Sequence, residues 1–236
     1  MQPTLKHVTC TGIDRSTDLR HLEFLQQEYP FAEFGVLLSA KPQDSPRYPG
    51  AGLIHSLRGL SINLALHLCG SLAREAAVGN WSSTKDLLGD DFNLFRRIQL
   101  NIAGYAKERF PEGLSVSVPE SADEVIIQQK DARHCRLFLD AAARDPRLSV
   151  LLDSSGGRGR ESSMEPLEAP YKTGFAGGLG PDNIRDAITV ISHLDCVGDF
   201  WVDAESGLRT DDDLFSVEKA GIYLREAATA IRALRR

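Results

Sequence analysis

A chain of 236 residues with 42% hydrophobic content can bury one sizeable core, and its length suits a one-domain α/β barrel spanning residues 1–236. A formal net charge of −6 provides no general basic field for phosphate backbones, so nucleic acid is excluded as the expected partner. Cys10, Cys69, Cys135 and Cys196 are too dispersed for a zinc ribbon or a disulfide framework; with no secretion-type leader and no apolar run near the roughly 20 residues of a membrane helix, a cytoplasmic protein with no membrane partner is expected.

In chain order, short β-branched runs alternate with amphipathic stretches, the pattern of parallel strands joined by crossover helices. His7 to Ile13 reads as strand one, and Asp18 to Glu28 as a helix with Leu19, Leu22 and Leu25 at helical spacing after the cap-type Ser16 and Thr17. Phe31 to Ser39 is strand two, followed by a Pro-rich loop from Lys41 to Gly50, a helix over Leu53 to Leu60 and strand three over Ile62 to Cys69. Thr84 to Phe95 is helical, with Asp90 and Asp91 expected to split it, and Arg97 to Leu100 is strand four. Strand five is either Leu114 to Val118 or Val125 to Gln129; the second is preferred because Ala132 to Ala143 continues as a helix. Leu148 to Leu152, Thr173 to Ala176 and Phe200 to Val202 complete eight strands, with helices over Pro181 to Leu194 and Val217 to Leu234. Pro166 and Pro170 leave the sixth helix degenerate, so the expected fold is a (β/α)8 barrel.

In such a barrel, chemistry projects from the C-terminal strand ends. Strand one ends Cys10-Thr11-Gly12, strand six Asp153-Ser154-Ser155-Gly156-Gly157-Arg158-Gly159, strand seven Ala176-Gly177-Gly178-Leu179, and strand eight Asp203-Ala204-Glu205-Ser206-Gly207. Glycine-bearing ends on strands seven and eight, the first running into a helix at Pro181, let bare backbone N–H groups approach an anion, so Gly177, Gly178, Ser206 and Gly207 form a candidate phosphate site. Alone, a strand-end cysteine reads as a small core residue, His67 in its apolar run as a hydrogen-bonded core or rim histidine, and Arg47 as a solvated charge.

Taken together, Cys10-x-Gly12, Ser45-Pro46-Arg47, Gln99-Leu100, Leu151-Leu152-Asp153-Ser154, Ala176-Gly177-Gly178-Leu179-x-Pro181-x-Asn183 and Val202-Asp203-x-x-Ser206-Gly207 resemble phosphoribosylanthranilate isomerase over nearly the whole chain. The resemblance implies an aldose-to-ketose (Amadori) isomerisation in tryptophan biosynthesis, without metal or organic cofactor, by a monomer or homodimer acting on a small phosphorylated or anionic substrate. It casts Asp153 as general acid and Cys10 as base, with Arg47 holding the aromatic carboxylate in a two-pronged contact. An apolar lead-in such as Val150-Leu151-Leu152 suits a raised carboxyl pKa, whereas a thiol base needs a lowered one, and only His7 lies near enough in sequence to help Cys10.

The departures are specific. Thr11 separates Cys10 from Gly12 where the family has Cys-Gly, and Val8 replaces its lysine. Asn101 stands where the family has histidine, Arg158 adds a cation that could receive a substrate anion, and Glu205 brings a carboxylate to the phosphate turn, repulsive at short range. The alternatives carried forward are a diverged barrel enzyme on another small anionic sugar-like substrate and a non-catalytic ligand-binding barrel.

Overall fold

The computed structural model describes residues 3–41, 46–102, 114–130, 135–153, 171–194 and 198–234. Its strands are β1 (Thr4–Thr11), β2 (Ala32–Ser39), β3 (Leu64–Cys69), β4 (Arg97–Leu100), β5 (Glu124–Gln129), β6 (Leu148–Asp153), β7 (Thr173–Ala176) and β8 (Asp199–Ala204). Each pairs in parallel with the next and β8 returns to β1, closing the barrel. The helices are α1 (Leu19–Glu28), α2 (Ala51–Ser56), α3 (Gly70–Ala77), α4 (Ser82–Leu88), α5 (Arg136–Ala142), α6 (Ile184–Ser192) and α7 (Val217–Leu234).

Side chains alternate across each strand, so every strand feeds two layers. Outward residues, among them Val8, Phe34, Val36, Leu66, Ile98, Val125, Val150 and Val202, form one apolar core with the inner helix faces, including Tyr223 and Leu224 of α7. Inward, a small cluster of Ile126, Leu151, Ala176 and Trp201 fills the middle of the barrel. Gly174 makes room there, since a Cβ at that position would run into the Trp201 indole.

Below this cluster, at the N-terminal end, charge is buried in pairs. Arg97 donates to Glu33 and Glu124, both at 2.6 Å, and its guanidinium lies 4.7 Å from the Trp201 ring centroid. Thr9 adds a donor to Glu33 at 2.8 Å. Burial opposes the charge on Arg97, but Glu33 and Glu124 outweigh it and raise its pKa.

The helix between β3 and β4 is in fact two: α3 was not expected, and the stretch expected over Thr84 to Phe95 divides into α4 and a 3-10 segment over Gly89–Leu94, where Asp90 and Asp91 stand. Of the two candidates for strand five, the Glu124–Gln129 segment is the one paired between β4 and β6. The degenerate sixth helix expected over Arg160 to Lys172 lies, up to residue 170, outside the described residues. No described helix is long and apolar enough to cross a membrane.

Candidate active site at the C-terminal mouth

Above the Trp201 cluster the barrel opens into a cavity of about 440 Å³ at the C-terminal strand ends. Asp153 and Gln128 line one side, Asp203, Glu205, Ser206 and Gly207 another, and Gly177, Gly178 and Leu179 lie between them. The registers Asp153↔Ala176 and Ala176↔Asp203 place the two aspartates in one row across β6, β7 and β8. Neighbouring strands lie about 4.8 Å apart, so the row holds two carboxyl groups over one alanine methyl.

Their settings differ. Gln128 Nε2 donates to Asp153 Oδ2 at 2.8 Å, fixing its orientation. Asp203 is 7% exposed and accepts from the Thr11 hydroxyl at 2.6 Å through Oδ1. Burial pushes its pKa up to about 8; the Thr11 hydrogen bond offsets part of this, and the charges of Glu205, Glu33 and Asp153 add to it. Asp203 is therefore mostly protonated at neutral pH.

The expected base is elsewhere. Thr9 and Thr11 point into the barrel, so Cys10 between them points out into the helix-packing core, fully buried and absent from the cavity lining. Burial, with Asp203 and Glu33 adding to it, raises the thiol well above its ordinary pKa, the reverse of what a thiolate base needs. The residue directly before Gly12, Thr11, holds the inward position. A one-residue offset in a strand exchanges the two faces, which is why the inserted threonine takes the cysteine out of the site.

Arg47 does line the cavity, but protein carboxylates hold it: Nη1 meets Glu205 Oε1 at 2.7 Å, and Nε and Nη2 reach Asp213 Oδ1, each at 2.8 Å. The two-pronged contact expected with a substrate is thus made with Asp213. Behind it, buried Arg209 donates to the Gly12 carbonyl at 2.7 Å and pairs with Asp14 at 3.1 Å and Asp213 at 2.8 Å, a clamp between the loops after β1 and β8 that had no signal in the sequence. Glu205 has a raised pKa because it is buried, with Arg47 opposing.

The wall from β3 and β4 is polar and uncharged. Gln99 Nε2 donates to Asn101 Oδ1 at 2.9 Å and contacts His67 Nδ1 at 3.2 Å, while Asn101 Nδ2 donates to Cys69 Sγ at 3.2 Å. Burial lowers the His67 pKa to about 4 and raises the Cys69 thiol to about 11, so both are neutral. Of the expected phosphate turns, Gly177 and Gly178 have φ of 102° and 67°, open to glycine and strained for other residues. Asn183 pins this turn, accepting from Gly180 N at 2.9 Å and donating to Gly178 O at 2.8 Å. Gly207 packs so closely on the Leu179 carbonyl that a side chain would collide with it. Arg158 lies outside the described residues. Among the described residues, no group of three or more His, Cys, Asp or Glu is placed to hold a metal ion.

Barrel and mouth together define a (β/α)8 protein with a polar, carboxyl-rich cavity where this architecture carries its chemistry. No protein-family model matches the chain, and no curated protein matches it. Similar solved structures are TrpF from Jonesia denitrificans (17% identity, 95% of this chain and 98% of that one, TM-score 0.57) and phosphoribosyl anthranilate isomerase from Thermus thermophilus (16%, 97% and 99%, TM-score 0.55). A third is a putative spore coat polysaccharide biosynthesis protein E from Chromobacterium violaceum (10%, 99% and 76%, TM-score 0.52). At these identities what is shared is the fold, and function rests on the site.

Proposed function

We propose that the mouth cavity is the active site of a general acid–base isomerase of the aldose–ketose type, an intramolecular oxidoreductase acting on a small sugar-like molecule. The observation that carries this reading is the row of two buried carboxyl groups, Asp153 and Asp203, facing one cavity at the C-terminal end of the barrel. Isomerisation needs one group to give a proton and another to take one, and a carboxyl that burial keeps protonated can be the giver. Asp203, mostly protonated at neutral pH, is the donor to the ring oxygen; Asp153, oriented by Gln128, removes the proton from C2. The resulting enol or enolamine becomes the ketose when C1 is protonated.

This reading keeps Asp153 from the expected pair, moves it from acid to base, and replaces Cys10 with Asp203. Phosphoribosylanthranilate remains the first substrate to test. The second reading, an enzyme of the same chemistry on another sugar-like substrate, is favoured by Thr11 in the inward position and by the engagement of Arg47 with Glu205 and Asp213. The test generates phosphoribosylanthranilate in situ and compares wild type with Asp153→Asn, Asp203→Asn and Cys10→Ala. Turnover abolished by either aspartate variant and retained by Cys10→Ala is the expected result. No turnover by folded wild type sinks the phosphoribosylanthranilate assignment, and turnover that depends on Cys10 sinks the carboxyl pair.

A further inference from the structure

His67 on β3 has one ring nitrogen engaged and the other open. The hydrogen bonds around it fix its tautomer. Cys69 Sγ donates to the His67 carbonyl at 3.9 Å and accepts from Asn101 Nδ2 at 3.2 Å, which turns Asn101 Oδ1 towards Gln99. Gln99 Nε2 donates to that oxygen at 2.9 Å, and the same nitrogen faces His67 Nδ1 at 3.2 Å, so Nδ1 is an acceptor. Burial, opposed by Glu33 and aided by Arg97, lowers the imidazole pKa to about 4. The ring is therefore neutral at pH 7, and its one proton sits on Nε2.

That Nε2–H has no hydrogen-bond partner among the described residues, and it is not sealed from the cavity that His67 lines, although the residue is only 2% exposed. Gly35 of β2 decides where it points. A Cβ at Gly35 would lie 3.1 Å from His67 Nε2 and 2.4 Å from the Thr11 hydroxyl oxygen, so the missing side chain lets the imidazole reach across β2 towards Thr11. Thr11 in turn donates to Asp203 Oδ1 at 2.6 Å. The open N–H thus looks onto the side of the cavity where Asp203 stands, and a buried donor left without an acceptor calls for an oxygen from whatever fills the space.

We infer that His67 is a further catalytic residue of this site, its Nε2–H donating to the substrate oxygen on C2, and that Gln99 is the positioning residue that keeps the proton on Nε2. This rests on the reading of the cavity as the site of an aldose–ketose isomerase. In that reaction the enol or enolamine collapses to the ketose: the proton Asp153 took from C2 passes to C1, and the C1=C2 pair forms the new C1–H bond. The enol O–H gives its proton back to Asp203, which had lost one to the ring oxygen, and the electrons of that O–H bond close C2=O. Negative charge gathers on the C2 oxygen as its proton leaves. A fixed N–H aimed there stabilises it, and a neutral imidazole does so without surrendering its own proton.

The test has two arms, both on the full chain. With the histidines labelled with nitrogen-15 and the His67 signal assigned by its loss in His67→Gln, NMR at pH 7 should show Nε2 protonated and Nδ1 unprotonated. Gln99→Glu, whose carboxylate only accepts, should put a proton on Nδ1. A protonated Nδ1 in wild type overturns the inference whatever the enzyme turns over. The second arm follows solvent deuterium uptake and ketose formation with phosphoribosylanthranilate generated in situ, ribose 5-phosphate and ribose. His67→Leu should slow whichever sugar reacts by about 10²–10³-fold, chiefly in kcat, and His67→Gln, which restores an N–H, should regain part of the loss. An undiminished rate in folded His67→Leu overturns the inference and leaves the isomerase reading standing. Failure of wild type to react with any of the three discards that reading, and the catalytic role of His67 falls with it.

Discussion

The two ends of the barrel bury charge in opposite ways. At the N-terminal end Arg97 lies between Glu33 and Glu124, with Lys172 3.9 Å from Glu124, and the hollow there is half the size, about 220 Å³. At the C-terminal end, among the described lining residues, the carboxyl groups of Asp153, Asp203 and Glu205 share the cavity with Arg47, and one of them, Asp203, holds a proton at neutral pH instead of a partner's charge. At the floor ion pairs settle the buried charge; at Asp203 a proton does. Burying even a compensated pair is costly, so the floor buys little net stability, but its removal in halves is severe.

That contrast can be broken first at the floor. Arg97→Met leaves Glu33 and Glu124 uncompensated in the interior and should cost roughly 3–5 kcal/mol in urea unfolding, with much of it recovered in the Arg97→Met/Glu33→Gln/Glu124→Gln variant. A loss below about 1 kcal/mol would show that the floor is not a paired system. At the mouth, Asp153→Asn should lower turnover about 10²–10⁴-fold because it removes a proton acceptor, with little change in the urea midpoint, since the amide oxygen can still accept from Gln128. A parallel fall in stability would instead class Asp153 with the floor.

The pH dependence sharpens the comparison. The folded pKa of Asp203 is raised from 3.8 to about 8, so its contribution to stability is full below 3.8 and is lost as pH rises through 8. His67 is lowered from 6.5 to about 4, so its contribution is full above 6.5 and is lost as pH falls towards 4. The two slopes oppose each other between pH 4 and 6.5, and from 6.5 to 8 the Asp203 slope stands alone. Wild type should lose about 2 kcal/mol across that last window and Asp203→Asn should not; the same slope in both would remove the proton from Asp203. Smallest of all, Cys10→Ala should cost about 1 kcal/mol as a trimmed core residue and leave turnover intact.

The strands were legible because each carries a continuous apolar outer face, and β4 and β7 agree with their expected bounds to the residue. The strand-end rule also located Asp153, Asn101 and both glycine turns at the cavity. Facing was harder. Cys10 and Thr11 both end β1, and which one points inward depends on a strand register that a motif match does not fix. Asp203 carried a readable signal, a carboxylate ending β8 as Asp153 ends β6, but a raised pKa and a Thr11 partner arise only once β1 and β8 are neighbours. Arg47 was read as a ligand contact because its partners, Glu205 and Asp213, lie more than 150 positions away in sequence.

The Arg209 clamp has a consequence for how the molecule is made. Its bonds to Gly12 and Asp14 join residues 197 and 195 positions apart, across the seam where the last strand meets the first. A chain still emerging from the ribosome can pair β1 through β7 in order, yet it has neither that seam nor the Thr11–Asp203 contact. Contacts of such long range form late, after the entropy of closing the loop has been met. The cavity is therefore complete only with the complete barrel: a chain ending before β8 lacks Asp203, Glu205, Ser206 and Gly207 from its lining.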